Sequence, residues 1–135
     1  MKFIACLLML SSVAFGQATQ RTKVKFNCTC DDAVAARYAT AFRDLLAASP
    51  RFVETSLASE PTREGSKAKT YHWVISVLSI DTDNPERGIE IALSVIVTLD
   101  DSVFSHTIQT CGSAAASNCA ARTLSEFDKT IHSFQ

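Results

Sequence analysis

Four cysteines are placed where they could do chemistry: Cys28-Thr29-Cys30 near the start, and Cys111 and Cys119 near the end. A fifth, Cys6, sits in an apolar leader and is expected to leave with it. An even four in an exported chain argues for two disulfides. Three pairings are open. In an extended strand, residues i and i+2 stand about 7 Å apart, whereas bridged Cβ atoms must approach to about 4 Å. If the strand runs through Cys30, each of that pair must therefore reach Cys111 or Cys119. Such bonds would close loops of roughly 80 residues and contribute about 4 kcal/mol each in the chain-entropy model. A local Cys111–Cys119 bond, with Cys28 and Cys30 unpaired or strained, is the second arrangement. The same sulfurs could instead hold Zn²⁺ or Cu⁺. The spacing is not that of common zinc knuckles, and no redox Cys-x-x-Cys occurs. The expectation is disulfides, with no metal and no cofactor.

His72, His106 and His132 are the side chains able to move protons near neutral pH. No spacing pairs them with a carboxylate or nucleophile, and no Gly-x-Ser-x-Gly elbow accompanies the serines. The stretch Asp81 to Gly88 opens like a calcium loop with Asp81 and Asp83. Pro85, Glu86 and Ala92 then stand where a ligand, a glycine and a bidentate glutamate are required. It is an acidic turn. Asn27-Cys28-Thr29 fits a glycosylation acceptor, relevant only to a eukaryotic secretory route. No catalytic residue is assigned.

The elements that must position these residues centre on Tyr71 to Leu99. Ile89, Ile91, Leu93, Val95, Val97 and Leu99 are apolar at every other position, the period of a β-strand. Tyr71 to Ile80 forms a denser apolar strand, and the turn residues between the two make a long antiparallel hairpin. Lys23 to Cys30 alternates as a first strand. Asp31 or Asp32 can cap a helix carrying Val34, Tyr38, Ala41, Phe42 and Leu45, and Pro50 should end it near Ala48. Arg51 to Ser56 is a short strand, 59–69 a charged loop, and Asp100-Asp101-Ser102 a tight turn. It leads into Val103 to Thr110, where Phe104, His106, Ile108 and Thr110 alternate with more polar neighbours. A last helix spans about 115–132 with Ala120, Leu124, Phe127 and Ile131 in its stripe. The order β-α-β-β-β-β-α reads as an α+β two-layer sandwich. About five mostly antiparallel strands would carry two helices on one face. Strand order is left open.

Met1-Lys2, the apolar run Phe3 to Leu10, and the small residues Ala14 and Gly16 have the parts of a secretory signal peptide. Cleavage is expected after Gly16, with Ala18 the alternative. The run falls short of the roughly 20 residues a membrane span needs. Residues 1–16 are then the signal and 17–135 a single exported domain, periplasmic or secreted, with no membrane span after cleavage. Without Lys2 the domain carries 12 basic and 14 acidic residues. That balance gives none of the basic face a nucleic-acid partner requires.

The passage Phe42-Arg-Asp-Leu-Leu-Ala-Ala-Ser-Pro-Arg-Phe-Val-Glu-Thr55 resembles the helix-to-strand passage of the TolB amino-terminal domain and related CsgG-like envelope domains. The long hairpin, the Leu99-Asp-Asp101 turn and a closing helix extend the likeness over residues 23–133. The β-propeller of TolB and the lipid-attachment cysteine of many envelope relatives are absent from this sequence. The resemblance implies a non-enzymatic role in the bacterial envelope through protein contacts, and it transfers no functional residues. The leading expectation is accordingly a small exported domain that binds another protein. Its contact surface would be a sheet edge or the sheet face away from the helices, where Tyr71 and Trp73 would form an aromatic patch if left uncovered; the alternative is that Trp73 is core, as tryptophan usually is. An unpaired edge would favour a homo-oligomer or strand addition. The alternatives are a small secreted enzyme using His72 or His106, an inhibitor presenting 57–69 or 81–88, and a cysteine-based metal binder.

Overall fold

The computed structural model describes residues 20–55, 72–81 and 90–134. In chain order these form β1 (Thr22–Thr29), α1 (Ala33–Ala48), β2 (Phe52–Glu54), β3 (Trp73–Asp81), β4 (Glu90–Leu99) and β5 (Ser102–Gly112). A 3-10 turn (Ser113–Ala115) then leads into α2 (Ala116–His132). The five strands make one sheet in the order β2-β1-β3-β4-β5, and the apolar faces of both helices share its core. This is the α+β sandwich that the sequence pattern implies, with the long hairpin at its centre. The β3–β4–β5 half is antiparallel, while β2 and β3 both run parallel to β1, so the sheet is mixed. The expected signal peptide, Tyr71, the 59–69 loop and the 82–88 part of the acidic turn lie outside the described residues.

Local chemistry explains the boundaries. Asp32 caps α1, its Oδ1 accepting from the Ala35 N–H at 2.7 Å. Ser49, the residue before Pro50, takes φ −71° and ψ 131°, the extended geometry that a following proline favours, and α1 stops there. Between β4 and β5, Asp100 and Asp101 have φ of 46° and 66°. A two-residue turn with both centres left-handed matches the twist of a hairpin, and aspartate tolerates that region better than most residues.

The turn starts β5 with Leu99 opposite Ser102 and Thr98 opposite Val103. Past an irregularity, Val97 faces Ser105, so Phe104 is the extra residue of a β-bulge. Because strand side chains alternate with period two, one inserted residue exchanges the two faces of everything beyond it. Gln109 therefore lies opposite Leu93 on the helix side, and Ile108 opposite Ser94 on the other. The sequence expectation of a Phe104–His106–Ile108–Thr110 row fails at this bulge. The Phe104 ring turns to Trp73 and Phe134, at 5.4 and 4.8 Å between centroids.

The cysteines pair locally, Cys28 with Cys30 and Cys111 with Cys119. Crossed pairing is ruled out by topology: β3 and β4 separate β1 from β5 by roughly 14 Å, at ~4.8 Å per strand. The objection to a Cys28–Cys30 bond assumed a strand running through Cys30. β1 ends at Thr29, and the two Cα atoms are 5.3 Å apart.

The core lies between the layers. Val24, Phe26, Ile75, Leu93 and Val95 from the sheet meet Tyr38, Phe42, Leu46, Phe127 and Ile131 from the helices. Leu46 takes the fully buried place expected of Leu45, which is only partly covered. Trp73 is 7% exposed, on the helix side, edge-on to Phe127 at 5.8 Å. Phe127 also meets Phe52 at 5.2 Å, joining the edge strand to the centre. Replacing Phe127 by alanine should cost about 3–5 kcal/mol in urea denaturation. The wild-type Trp73 emission should be blue-shifted and shielded from iodide, and a red-shifted, quenchable emission would contradict this placement.

Candidate functional site

The open face of the sheet, the one away from the helices, is read from the strand registers. Rows run Thr29–Leu78–Ser94–Ile108, Asn27–Ser76–Ile96–His106 and Lys25–Val74–Thr98–Val103. The β1 end of each row is polar and the β3–β5 end is richer in branched apolar side chains. Leu78 and Ile80 are nearly half exposed, and Val103 and Ile108 are each 66% exposed. Ser94 and His106 lie among them, Oγ to Nε2 at 2.9 Å. β5 borders this face, and among the described residues it pairs only with β4. Its eleven residues, SVFSHTIQTCG, include no charge and no proline. Natural edge strands are usually shortened, charged or interrupted by proline, because an exposed ladder recruits other strands. The opposite edge, β2, is shortened to three residues. β5 has none of these protections apart from its bulge.

This surface differs from the expected one. Trp73 is core, because it stands opposite Leu99 in the row that faces the helices, and so it forms no exposed patch. Tyr71 falls outside the described residues. The residues that sequence reasoning missed are Val103 and Ile108. Their type was visible, but the bulge that turns Ile108 outward has no local signal beyond a run of β-formers.

Of the three histidines, His106 meets a hydroxyl, Ser94 Oγ at 2.9 Å, and the other two lie apart from that pair. His72 and His106 are kept apart by β4. His72 is half exposed, with Nδ1 3.7 Å from Asp100 Oδ1, an ion pair only when the imidazole is protonated. Its backbone N–H is the better partner of that oxygen, at 3.1 Å. His132 is exposed in the last turn of α2, where a cation complements the helix dipole. A groove of about 480 Å³ lies between α1 and the start of α2, lined by Arg37, Thr40, Asp44, Ser113 and Ser117 among others. Arg37 Nη1 donates to Ser113 Oγ across it at 2.7 Å. Neither histidine nor cysteine lines it. Among the described residues, no three or more His, Cys, Asp or Glu side chains gather as metal ligands would.

One buried polar cluster ties the layers together. Tyr38 Oη on α1 and Gln109 Nε2 on β5 both donate to Thr123 Oγ1 on α2, each at 2.8 Å. Thr123 in turn donates to the Cys119 carbonyl at 3.1 Å. A hydroxyl offers one donor and two acceptor sites, and all three are used. Burial pushes the Tyr38 phenol up to about 12, against a smaller downward pull from its hydrogen bond with Thr123. No protein-family model matches the chain, and no curated protein matches it.

The Tyr38 shift has a sign that can be measured. Between pH 10 and 12 the unfolded phenol loses its proton while the folded one keeps it. The stabilisation is full below pH 10 and is lost as pH rises through the folded value. Wild-type stability should fall by about 2–3 kcal/mol more than that of Tyr38→Phe over this window. Parallel pH profiles of the two proteins would refute the assignment.

Proposed function

We propose that this chain is an exported, non-catalytic domain that binds a partner protein, taking an extended segment of it along the β5 edge. The observation that carries the reading is an eleven-residue uncharged edge strand, adjoined by an open face on which Val103 and Ile108 stand two-thirds exposed. Strand addition draws affinity from main-chain hydrogen bonds and specificity from alternate side-chain contacts. The Val103 and Ile108 side chains on β5 supply such contacts, and Leu78 and Ile80 continue the same face two strands further in. Both cysteine pairs, at disulfide distance, fit an oxidising compartment. Among the described residues no helix is long and apolar enough to cross a membrane. The signal-peptide-like composition of residues 1–16 supports a periplasmic or secreted location, and the resemblance to TolB amino-terminal and CsgG-like domains supports an envelope accessory role.

Two experiments test this. A photo-reactive amino acid at Ile108, in protein expressed in its own host, should crosslink a partner. The same group at Ala47, on the outer side of α1, should not. Val103→Lys should reduce the Ile108 adduct at least about tenfold, because an edge lysine discourages strand pairing. Equal adducts from both positions would sink the edge. The intact mass of exported protein should begin at Gln17 and lie about 4 Da below its reduced value. A mass retaining Met1 would overturn export.

A further inference from the structure

The two cysteine pairs are not equivalent. Cys111 and Cys119 are 0% and 5% exposed, and their bond joins the end of β5 to the first turns of α2 across eight positions. That is a buried staple between two elements. Cys28 and Cys30 are both partly exposed and lie two positions apart. Their ring encloses a single residue and joins no two elements of the fold. Loop-closure stabilisation falls as the closed loop gets shorter, so this pair constrains the unfolded chain less than Cys111–Cys119 does. A structural role leaves it unexplained.

Its position supplies another. β2, β1 and β3 are neighbouring parallel strands, and Cys28-Thr29-Cys30 sits at the carboxyl end of the middle one. From β1 the chain leaves through α1 towards β2, while β3 continues to β4 on the other side. Both cysteines are partly exposed at this end of the sheet, so a dithiol on another protein reaches the pair without crossing the core. The start of α1 follows within three residues of Cys30, and a helix amino terminus favours a thiolate nearby. Asp31 and Asp32 oppose that effect, and Asp32 is engaged with the Ala35 N–H.

We infer that Cys28–Cys30 is an exchangeable disulfide that accepts two electrons from a dithiol on another protein. This site is separate from the β5 edge. One thiolate of the dithiol attacks a sulfur of the pair, forming an intermolecular disulfide and releasing the other cysteine as thiolate. The second thiolate of the dithiol attacks the mixed bond and forms its own disulfide. Cys28 and Cys30 end as thiols, carrying the two electrons and taking up the two protons that the dithiol gave up.

The test uses the whole mature chain in glutathione buffers of graded reduced-to-oxidised ratio, quenched with an alkylating agent and read peptide by peptide. Cys28 and Cys30 should become alkylated at [GSH]²/[GSSG] values at least about 100-fold lower than Cys111 and Cys119. Mixed with a short unfolded peptide carrying two thiols, the oxidised protein should yield one peptide disulfide per chain. Cys28→Ser/Cys30→Ser should abolish this yield, while its circular dichroism stays unchanged. Reduction of both pairs together, or a peptide disulfide formed equally by the double variant, would overturn the inference. Crosslinking at Ile108 is read independently, so failure of one site is distinguishable from failure of the other.

Discussion

A single extra residue decides which side of β5 meets the helices. The left-handed pair Asp100–Asp101 starts the strand in a register that would carry Phe104, His106 and Ile108 onto the helix side, opposite Val97, Val95 and Leu93. Phe104 is instead excluded from the ladder, and the parity of everything beyond it is reversed. Ser105, Thr107 and Gln109 turn towards α2, and His106 and Ile108 turn to solvent. The bulge also places the Phe104 ring against Trp73 and Phe134, where it covers the end of the core. The outward placement of His106 and Ile108 and the polar lining under α2 are thus two consequences of one backbone irregularity.

That reversal brings a glutamine into the space between sheet and helices, a costly placement unless its amide is satisfied. Thr123 resolves it. It occupies a position in the apolar stripe of α2, one turn before Phe127, and accepts from both Gln109 and Tyr38. The hydroxyl joins α1, α2 and β5 at one buried point. A partly satisfied cluster would be worse than an apolar one, whereas this cluster uses every site of its central hydroxyl. It fixes how α1 and α2 lie side by side, since apolar packing alone tolerates sliding.

What could be read from the sequence is what is decided within a few residues. Asp32 and Pro50 bound α1 by capping and by steric restriction, and both act where they stand. The alternation from Ile91 to Leu99 selects the buried face of β4 without reference to anything else. Trp73 shows the limit: as a strand residue it was legible, but its side of the sheet follows from its register with Leu99. Strand order depends on contacts between segments far apart in the chain, and here it places β1 in the middle of a parallel trio. The cysteine pairing turned on a one-residue difference, a strand ending at Thr29 rather than Cys30. Tyr38 carried a signal that it needed a buried partner, since a buried phenol seeks one. Nothing local pointed to Gln109 or Thr123 as that partner.

The topology also sorts the molecule into two regions of different chemistry. β1, β3 and β5 run in one direction, so their carboxyl ends, and the amino ends of α1 and α2 that follow β1 and β5, gather at one end of the sheet. Both cysteine pairs are there, as is the Arg37–Ser113 contact between the helices. Helix amino termini carry partial positive charge that favours anions and thiolates at this end, and beside Cys30 the carboxylates Asp31 and Asp32 work against it. The lateral edge along β5 is different in kind: uncharged, extended, and flanked by branched apolar side chains. Because β5 contributes Cys111 to one region and Ile108 to the other, the same strand reports on both, three residues apart on opposite faces. A partner aligned along β5 would reach the Cys111–Cys119 staple first and find it buried. The partly exposed Cys28–Cys30 pair lies across β3 and β4, beyond that partner's edge contacts. The proposed strand pairing at the edge and the inferred thiol exchange at the end would therefore draw on separate parts of one small sheet.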